Sequence, residues 1–309
     1  MIPDLSIEIA GVKLKNPILT ASGTCGYGEE LAEVFNLSRL GGIVTKSITV
    51  MPREGHPPPR TAETAAGMLN AIGLANVGVD KFIEEKLKFL EAFDTAVVVN
   101  VAGARLQEYV NICRRLADCP RADMVELNFS CPNVEAGMEI ARNASRAEEA
   151  VREVKKVFPR PVVAKLSPNV SDISEIARAC EAGGADALSL INTLLGMAVD
   201  IETRRPRLTN NTGGLSGPAI KPVALAMVHK VYSTVKIPII GIGGIADWKD
   251  AVEFFLCGAT AVQIGTALFI DPDIPVKIID GLRKYMVEHK FEHISELIGE
   301  LRIYNESIE

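Results

Sequence analysis

This sequence lacks closely spaced metal-binding motifs. Its six cysteines include no CxxC pair, and its four histidines form no HExxH motif. Structural zinc sites and iron–sulfur clusters usually require such close spacing of their ligands. We therefore predict that the chain itself holds no metal, and the scattered free thiols indicate a reducing cytoplasm.

Long apolar runs and dense basic clusters are also scarce. No apolar run approaches the roughly 20 residues that cross a bilayer, and the first residues do not resemble a signal peptide. The net charge is −6, and the basic clusters are short, whereas a nucleic-acid surface needs clustered lysine and arginine. We expect a globular protein that binds neither membrane nor nucleic acid.

Eight short apolar runs recur along the chain, and amphipathic segments of helical length separate most of them. Near-continuous apolarity is typical of strands that are buried on both faces. The eight runs cover residues 17–21, 42–47, 96–101, 124–128, 161–166, 185–191, 237–242 and 261–264. The helical segments cover residues 79–93, 107–118, 145–157, 173–182, 223–235 and 247–256. This alternation predicts an α/β fold, specifically a (β/α)8 TIM barrel. The alternative is a doubly wound sheet, but that fold usually has only five or six strands.

Three further segments surround the predicted barrel. An alternating pattern at residues 7–15 predicts an N-terminal hairpin. Excursions at residues 56–76 and 194–216 follow the second and sixth strands, so they are insertions at the carboxyl-terminal face, where barrels carry their active sites. A helical tail is predicted from about His293. We interpret residues 1–309 as a single domain.

Polar residues lie at the ends of these apolar strands. They are Ser22, Lys46, Ser47, Asn100, Asn128, Lys165, Asn192 and Thr193. Because the strand ends of a barrel meet at one face, these side chains predict a polar pocket at its mouth. Cys131 follows the fourth strand in the stretch NFSCPNV, between two asparagines.

Glycines follow the last two strands. Gly243 and Gly244 precede one helical segment, and Gly265 with Thr266 follows the eighth strand. Glycine lets backbone N–H groups approach an anion, and barrels often hold phosphate after strands seven and eight. A lysine near the N1–C2=O edge of a flavin would stabilise the reduced ring. FMN is thus one reasonable ligand, although the residues alone leave a phosphorylated sugar open.

Several motifs resemble those of the dihydroorotate dehydrogenase family from end to end. They are NPILTASGT (16–24), KSIT (46–49), PREGHPPPR (52–60), GMLNAIGL (67–74), NFSCPNV (128–134) and IGGI (242–245). The resemblance implies a (β/α)8 barrel that holds FMN and oxidises dihydroorotate to orotate in pyrimidine synthesis. Membrane-associated members have serine at the position of Cys131, so the cysteine makes this sequence similar to class 1.

The resemblance also implies a role for each matching residue. Cys131 would take the C5 proton of the substrate while a hydride leaves C6 for flavin N5. Substrate would contact Lys46, Asn70, Ala71, Ile72, Gly73, Leu74, Asn128, Asn133, Asn192 and Thr193. FMN would contact Ser22, Lys46, Ser47, Asn100, Asn128, Lys165, Ile191, Gly217, Gly243, Gly244, Gly265 and Thr266.

The sequence is most similar to class 1B, whose catalytic subunit works with an iron–sulfur flavoprotein. That partner would carry FAD and a [2Fe-2S] cluster and pass electrons to NAD, in a heterotetramer of two catalytic and two electron-transfer chains. The alternatives are a class 1A homodimer that uses fumarate, another FMN barrel that reduces a dihydropyrimidine or tRNA dihydrouridine, and a catalytically silent phosphate-binding barrel.

Overall fold

Short parallel strands form a closed barrel at the centre of the protein. The computed structural model describes residues 3–129 and 140–304. In chain order the strands of this part are β1 Ile7–Ile9, β2 Val12–Leu14, β3 Ile18–Thr20, β4 Gly42–Val44, β5 Thr61–Thr64, β6 Gly67–Asn70, β7 Ala96–Val101, β8 Met124–Asn128, β9 Val162–Lys165, β10 Ala187–Leu190, β11 Leu194–Gly196, β12 Val199–Asp200, β13 Arg205–Pro206, β14 Gly213–Ser216, β15 Ile239–Ile242 and β16 Ala261–Ile264.

The barrel strands follow one another in chain order. Their order is β3-β4-β7-β8-β9-β10-β15-β16, and β16 pairs with β3 to close the ring. Every neighbouring pair is parallel. All eight predicted strands are therefore confirmed, and so is the (β/α)8 fold.

Helices cover the outside of the barrel. Within the described residues the α-helices are α1 Glu29–Ala32, α2 Gly78–Lys81, α3 Leu106–Ala117, α4 Ala144–Lys155, α5 Ile173–Ala182, α6 Lys221–Tyr232, α7 Trp248–Leu256 and α8 Ile274–His289. Helices α3 to α7 lie within three residues of their predicted bounds. Side-chain caps fix some of the starts: Asp172 accepts from the Ser174 N–H at 2.9 Å, and Asp247 accepts from the Lys249 and Asp250 N–H groups at 2.8 and 3.0 Å.

Two helical predictions were wrong in detail. Residues 79–93 do not form one regular helix, because α2 continues as a π-helical turn, Phe82–Leu87, and then a 3-10 turn, Leu90–Ala92. The wider π turn brings Phe82 and Leu87, which are both buried and five residues apart, closer to one face than an α-helix would.

The chain end also differs from the prediction. The helix that follows β16 is α8, which starts with proline in its first turn and ends where Lys290 adopts a left-handed conformation. Between His293 and Tyr304, where the described residues end, the predicted helical tail contains only the 3-10 turn Ile294–Leu297.

The hairpin and both excursions form sheets of their own. Strands β1 and β2 pair antiparallel, as predicted. The two excursions, which lie far apart in the sequence, join in one four-stranded sheet with the order β11-β14-β6-β5. Strands β12 and β13 pair as a separate small hairpin. A small apolar cluster of Leu69, Ala71 and Leu208 packs between the excursions. Because β6 and β11 follow the carboxyl ends of β4 and β10, this sheet lies at the mouth of the barrel.

Helix α7 packs tightly against the barrel wall. Phe254 is fully buried, and a Cβ added to Gly241 of β15 would lie 2.4 Å from its ring. The glycine therefore permits the close approach of this helix to its strand.

We expect Phe254→Ala to lower the free energy of unfolding by about 3–5 kcal/mol, because it leaves a cavity between α7 and β15. Phe269→Ala is the matched control, since Phe269 is 60% exposed, and it should cost about 1 kcal/mol or less. Urea unfolding followed by circular dichroism measures both. Equal losses for the two variants would contradict this packing.

Candidate active site

Four of the predicted polar residues form a hydrogen-bonded chain at the barrel mouth. The Asn192 amide donates to Asn128 Oδ1 at 3.4 Å, the Asn128 amide donates to Ser47 Oγ at 3.3 Å, and the Ser47 hydroxyl donates to Asn100 Oδ1 at 2.5 Å. These residues come from four different strand ends. The structure therefore brings these four predicted residues together.

A fully buried carboxylate lies beneath this chain. Glu126 is 0% exposed, and it stands two residues before Asn128 on β8, so both side chains point into the barrel. Its Oε1 accepts from the Asn100 amide at 2.6 Å, and its Oε2 accepts from Ser189 Oγ and Gln263 Nε2, each at 2.7 Å. The sequence analysis missed this residue. Its signal was a charged residue inside an apolar run.

Lys165 is the cation next to that carboxylate. Its Nζ lies 3.9 Å from Glu126 Oε1, and the lysine is 5% exposed at the end of β9. In the register of the barrel, Lys165 is paired with Asn128. The predicted lysine therefore belongs to the same polar cluster.

Lys46 follows the second barrel strand and is half-buried. Its backbone N–H donates to Gly26 O at 2.8 Å. Burial lowers the pKa of the Lys46 ammonium below its ordinary value, and the nearby Arg60 guanidinium lowers it further. A negatively charged ligand beside Lys46 would oppose both effects.

The predicted phosphate-binding glycines come together on the opposite part of the mouth. Gly217 and Gly244 have φ of +96° and +75°, and a Cβ on Gly244 would lie 2.7 Å from Gly217 O. A Cβ on Gly243 would lie 3.5 Å from the Ile191 side chain. Only residues without a side chain fit this turn, because neighbouring protein atoms approach its backbone closely.

The loop after β16 completes this region. The Thr266 hydroxyl donates to Ser216 Oγ at 2.8 Å, next to Gly217. A Cβ on Gly265 would lie 3.3 Å from Ala21, whose N–H donates to Ile264 O at 2.7 Å. Ser22 follows Ala21 directly. Five predicted cofactor residues, Gly217, Gly243, Gly244, Gly265 and Thr266, thus lie around one turn, with Ile191 and Ser22 at its edge.

The segment from Asn70 to Leu74 approaches from the four-stranded sheet. The Asn70 amide donates to Gly214 O at 3.2 Å, and a Cβ on Gly214 would lie 2.0 Å from Thr193 Oγ1. Pairing of β6 with β14 therefore brings Asn70 and Thr193 to one place.

Backbone hydrogen bonds hold the rest of that segment to the start of the same excursion, near His56 and Arg60. Ala71 N–H donates to Arg60 O at 2.8 Å, and Ile72 O accepts from His56 N–H at 3.0 Å. Gly73 and Leu74 then turn with φ of +73° and +57°.

Cys131 and Asn133 lie outside the described residues, so their predicted roles stay predictions. The residues just before them are held by aromatic packing and by a hydrogen bond. Phe129 is fully buried with its ring 6.1 Å from that of Tyr109, and the Tyr109 hydroxyl donates to Asn128 O at 2.8 Å. The strand is thus anchored at the point where the NFSCPNV motif begins.

Comparison with known proteins fits this site. The family model described as dihydroorotate dehydrogenase matches residues 4–286. The chain belongs to the dihydroorotate dehydrogenase family.

Its relatives within that family include the "dihydroorotate dehydrogenase B (NAD(+)), catalytic subunit" of three bacteria. The chain is 52% identical to the protein of Parabacteroides distasonis over 301 residues, which cover 97% of this chain and 99% of the relative. It is also 52% identical to the protein of Citrifermentans bemidjiense over 302 residues and 50% identical to that of Thermoanaerobacter sp. over 301, with the same coverage. The similarity to class 1B is therefore confirmed.

The described residues contain neither a membrane-spanning helix nor a cluster of metal ligands. In residues 3–129 and 140–304, no helix combines the length and apolarity of a membrane span. In the same ranges, no three His, Cys, Asp or Glu side chains are grouped to hold a metal ion.

We expect the stability of the wild-type protein, relative to Lys46→Met, to rise as the pH is raised from the lowered pKa of folded-state Lys46 toward the ordinary lysine pKa of 10.5. In this window the folded state, whose Lys46 pKa is lowered, binds fewer protons than the unfolded chain, so the free energy of unfolding increases with pH. At lower pH both states are protonated, and the burial penalty is constant.

Urea unfolding of both proteins across this range measures the effect. Lys13→Met, at an exposed position of β2, controls for the loss of a lysine charge. A difference between wild type and Lys46→Met that stays flat or falls with pH would contradict the effect of burial on Lys46.

Proposed function

We propose that this chain oxidises dihydroorotate to orotate in pyrimidine synthesis. The observation that carries the proposal is the chain of hydrogen bonds from Asn192 through Asn128 and Ser47 to Asn100 at the mouth of the barrel. Carboxamides carry both donors and acceptors, so they match the ureide edge of a flat ring without a change of charge. The family of the chain and the names of its relatives support the same reaction.

The residues at the mouth fit FMN. Gly243, Gly244, Gly265 and Thr266 follow the seventh and eighth barrel strands, where barrels often bind a phosphate, and Gly217 lies beside Gly244. Ser22, Lys46, Ser47, Asn100, Asn128, Lys165 and Ile191 would hold the rest of the cofactor. Lys165 supplies a buried cation, which suits the polar edge of a flavin. When bound, FMN supplies the acceptor for the hydride that leaves C6 of the substrate.

The substrate would lie between this cofactor site and the four-stranded sheet. Asn128, Asn133 and Asn192 with Thr193 would bind the ureide and carboxylate, and Asn70 would bind from the sheet. Lys46 and the backbone of Ala71, Ile72, Gly73 and Leu74 would complete the pocket. The pairing of β6 with β14, which places Asn70 near Thr193, supports this arrangement.

Cys131 would act as the base that removes the C5 proton. Burial raises the pKa of the Cys25 thiol to about 11 and that of Cys180 to about 12, so these thiols are poor bases at neutral pH. Cys131 stands in the NFSCPNV motif directly after the anchored end of β8. This position supports its assignment as the base.

Electrons would leave through a partner. The relatives are named catalytic subunits with NAD(+) in the name, which supports the existence of a partner subunit. This partner would carry FAD and a [2Fe-2S] cluster. We propose a heterotetramer of two chains of each kind. We also propose that residues 1–309 act as one FMN-binding domain in the cytoplasm, because the main apolar core extends from Leu5 to Leu297 and the cysteines of the described residues are unpaired.

We expect the chain purified alone to be yellow and to lose its flavin absorbance when dihydroorotate is added without oxygen. Neither fumarate nor NAD should restore the colour of the isolated chain, because electrons reach NAD through the partner. Visible spectra under anaerobic conditions measure each step.

Each outcome of this experiment has a distinct meaning. Reoxidation by fumarate would overturn the NAD-linked assignment and favour a homodimer of class 1A type. A protein that stays colourless after reconstitution with FMN, or is not bleached, would overturn the proposed function.

We expect Cys131→Ala to slow bleaching by dihydroorotate by about 10²–10⁴-fold, since it removes a general base. Cys119→Ala is the matched control, because Cys119 lies partly exposed beyond α3. Wild-type bleaching should accelerate with rising pH, because an ordinary thiol has a pKa of about 8.5 and only its thiolate accepts a proton. Anaerobic stopped-flow absorbance gives these rates. An unchanged rate in Cys131→Ala would exclude this thiol as the base.

A further inference from the structure

The interior of the barrel beneath the mouth contains a buried acidic residue, Glu126, to which the proposed reaction assigns no role. Glu126 has no exposed surface, yet it is a charged residue. Its hydrogen bonds reach three other strands: β7 through Asn100, β10 through Ser189 and β16 through Gln263. In the order of the barrel, β16 is directly opposite β8. Glu126 therefore ties both walls of the barrel together below the site.

A buried carboxylate is costly unless it is hydrogen-bonded and paired with a cation. Three donors satisfy the oxygens of Glu126, and Lys165 supplies the opposite charge at 3.9 Å. That distance is too long for a direct hydrogen bond. The ammonium can thus be attracted toward the carboxylate while its donors stay available to a ligand at the mouth.

Both neighbours of Glu126 on this side belong to the cofactor site. Asn100 donates to Glu126 Oε1 with its amide and accepts from Ser47 with its carbonyl oxygen. Glu126 therefore sets which end of the Asn100 amide faces Ser47, because a carboxylate can only accept. Through the Ser47 hydroxyl, which donates to Asn100 and accepts from Asn128, the same hydrogen bonds also orient the Asn128 amide.

We propose that Glu126 is a positioning residue, which orients Asn100 and holds Lys165 at the barrel mouth while offsetting its positive charge toward bound FMN. This inference rests on the proposed function, since it concerns the same cofactor site. A lysine with its charge partly offset stabilises the reduced, anionic flavin less than a lysine alone. The carboxylate thus keeps the reduction potential of bound FMN lower than it would be with Lys165 alone.

The first test measures the ion pair without any cofactor. Lys165→Met leaves the buried carboxylate without its cation, whereas Glu126→Gln/Lys165→Met removes both charges. We expect the double variant to unfold at a higher urea concentration than Lys165→Met, because an uncompensated buried charge is worse than no charge. A double variant less stable than Lys165→Met would overturn the pairing.

The second test measures the midpoint potential of bound FMN by spectroelectrochemistry at about pH 6, where lysine side chains are protonated. Glu126→Gln should fold, since its new amide can donate to Ser189 Oγ and, once the Gln263 amide turns over, to Gln263 Oε1, which is buried without a partner among the described residues. We expect reduced FMN to be favoured about tenfold more than in wild type, a rise of about 30 mV for two electrons. Glu126→Asp, which keeps the charge, should restore most of the wild-type potential.

Ser189→Ala is the control for packing, since it removes a donor to the same carboxylate without changing charge. A potential that does not rise in Glu126→Gln, or rises equally in Ser189→Ala, would overturn the charge role. A wild-type protein that binds FMN and is bleached by dihydroorotate, with no shift in the variant, would overturn this inference alone. A wild-type protein that binds no FMN would overturn the proposed function as well.

Discussion

The polar interior of this barrel depends on the carboxylate of Glu126. Most barrel interiors are filled with branched apolar side chains, and here a charge occupies the layer below the mouth. It is tolerated because side chains of β7, β10 and β16 donate to it and Lys165 lies 3.9 Å away. The same contacts fix the residues above: the amide of Asn100 has one orientation, and through Ser47 that orientation extends to Asn128. The geometry of the site is thus set from within the barrel.

The mouth divides into two chemically distinct halves. One half consists of turns with little side-chain bulk at Gly217, Gly243 and Gly244, where an added Cβ would come close to neighbouring atoms. The other half consists of carboxamides, a hydroxyl and a buried ammonium, which recognise a polar ring. A phosphorylated, flat cofactor would span both halves, which is the physical basis of the FMN site proposed above.

Much of this arrangement could be predicted from the sequence, and the failures share a cause. The eight strands and the residues at their ends were predictable because a strand buried on both faces gives a local apolar run, and the end of that run locates the mouth. Glu126 was missed because such a strand shows no alternation of polar and apolar residues. Whether its side chain points into the barrel or toward the helices depends on the register with β7. Helix α8 and the π turn at Phe82 depend on packing against neighbours. The joining of the excursions depends on a pairing between residues 67–70 and 213–216, which no local pattern encodes.

That pairing also bears on how the protein folds. Strands β6 and β14 are separated in the chain by four of the eight barrel strands, so their contact is highly non-local. Loop-closure entropy opposes such contacts until intervening structure has brought the two segments together. We therefore expect the barrel wall to assemble before the sheet at its mouth. Newly made chains would then pass through a closed barrel that lacks a finished substrate pocket, and ligand binding would favour the last step of folding.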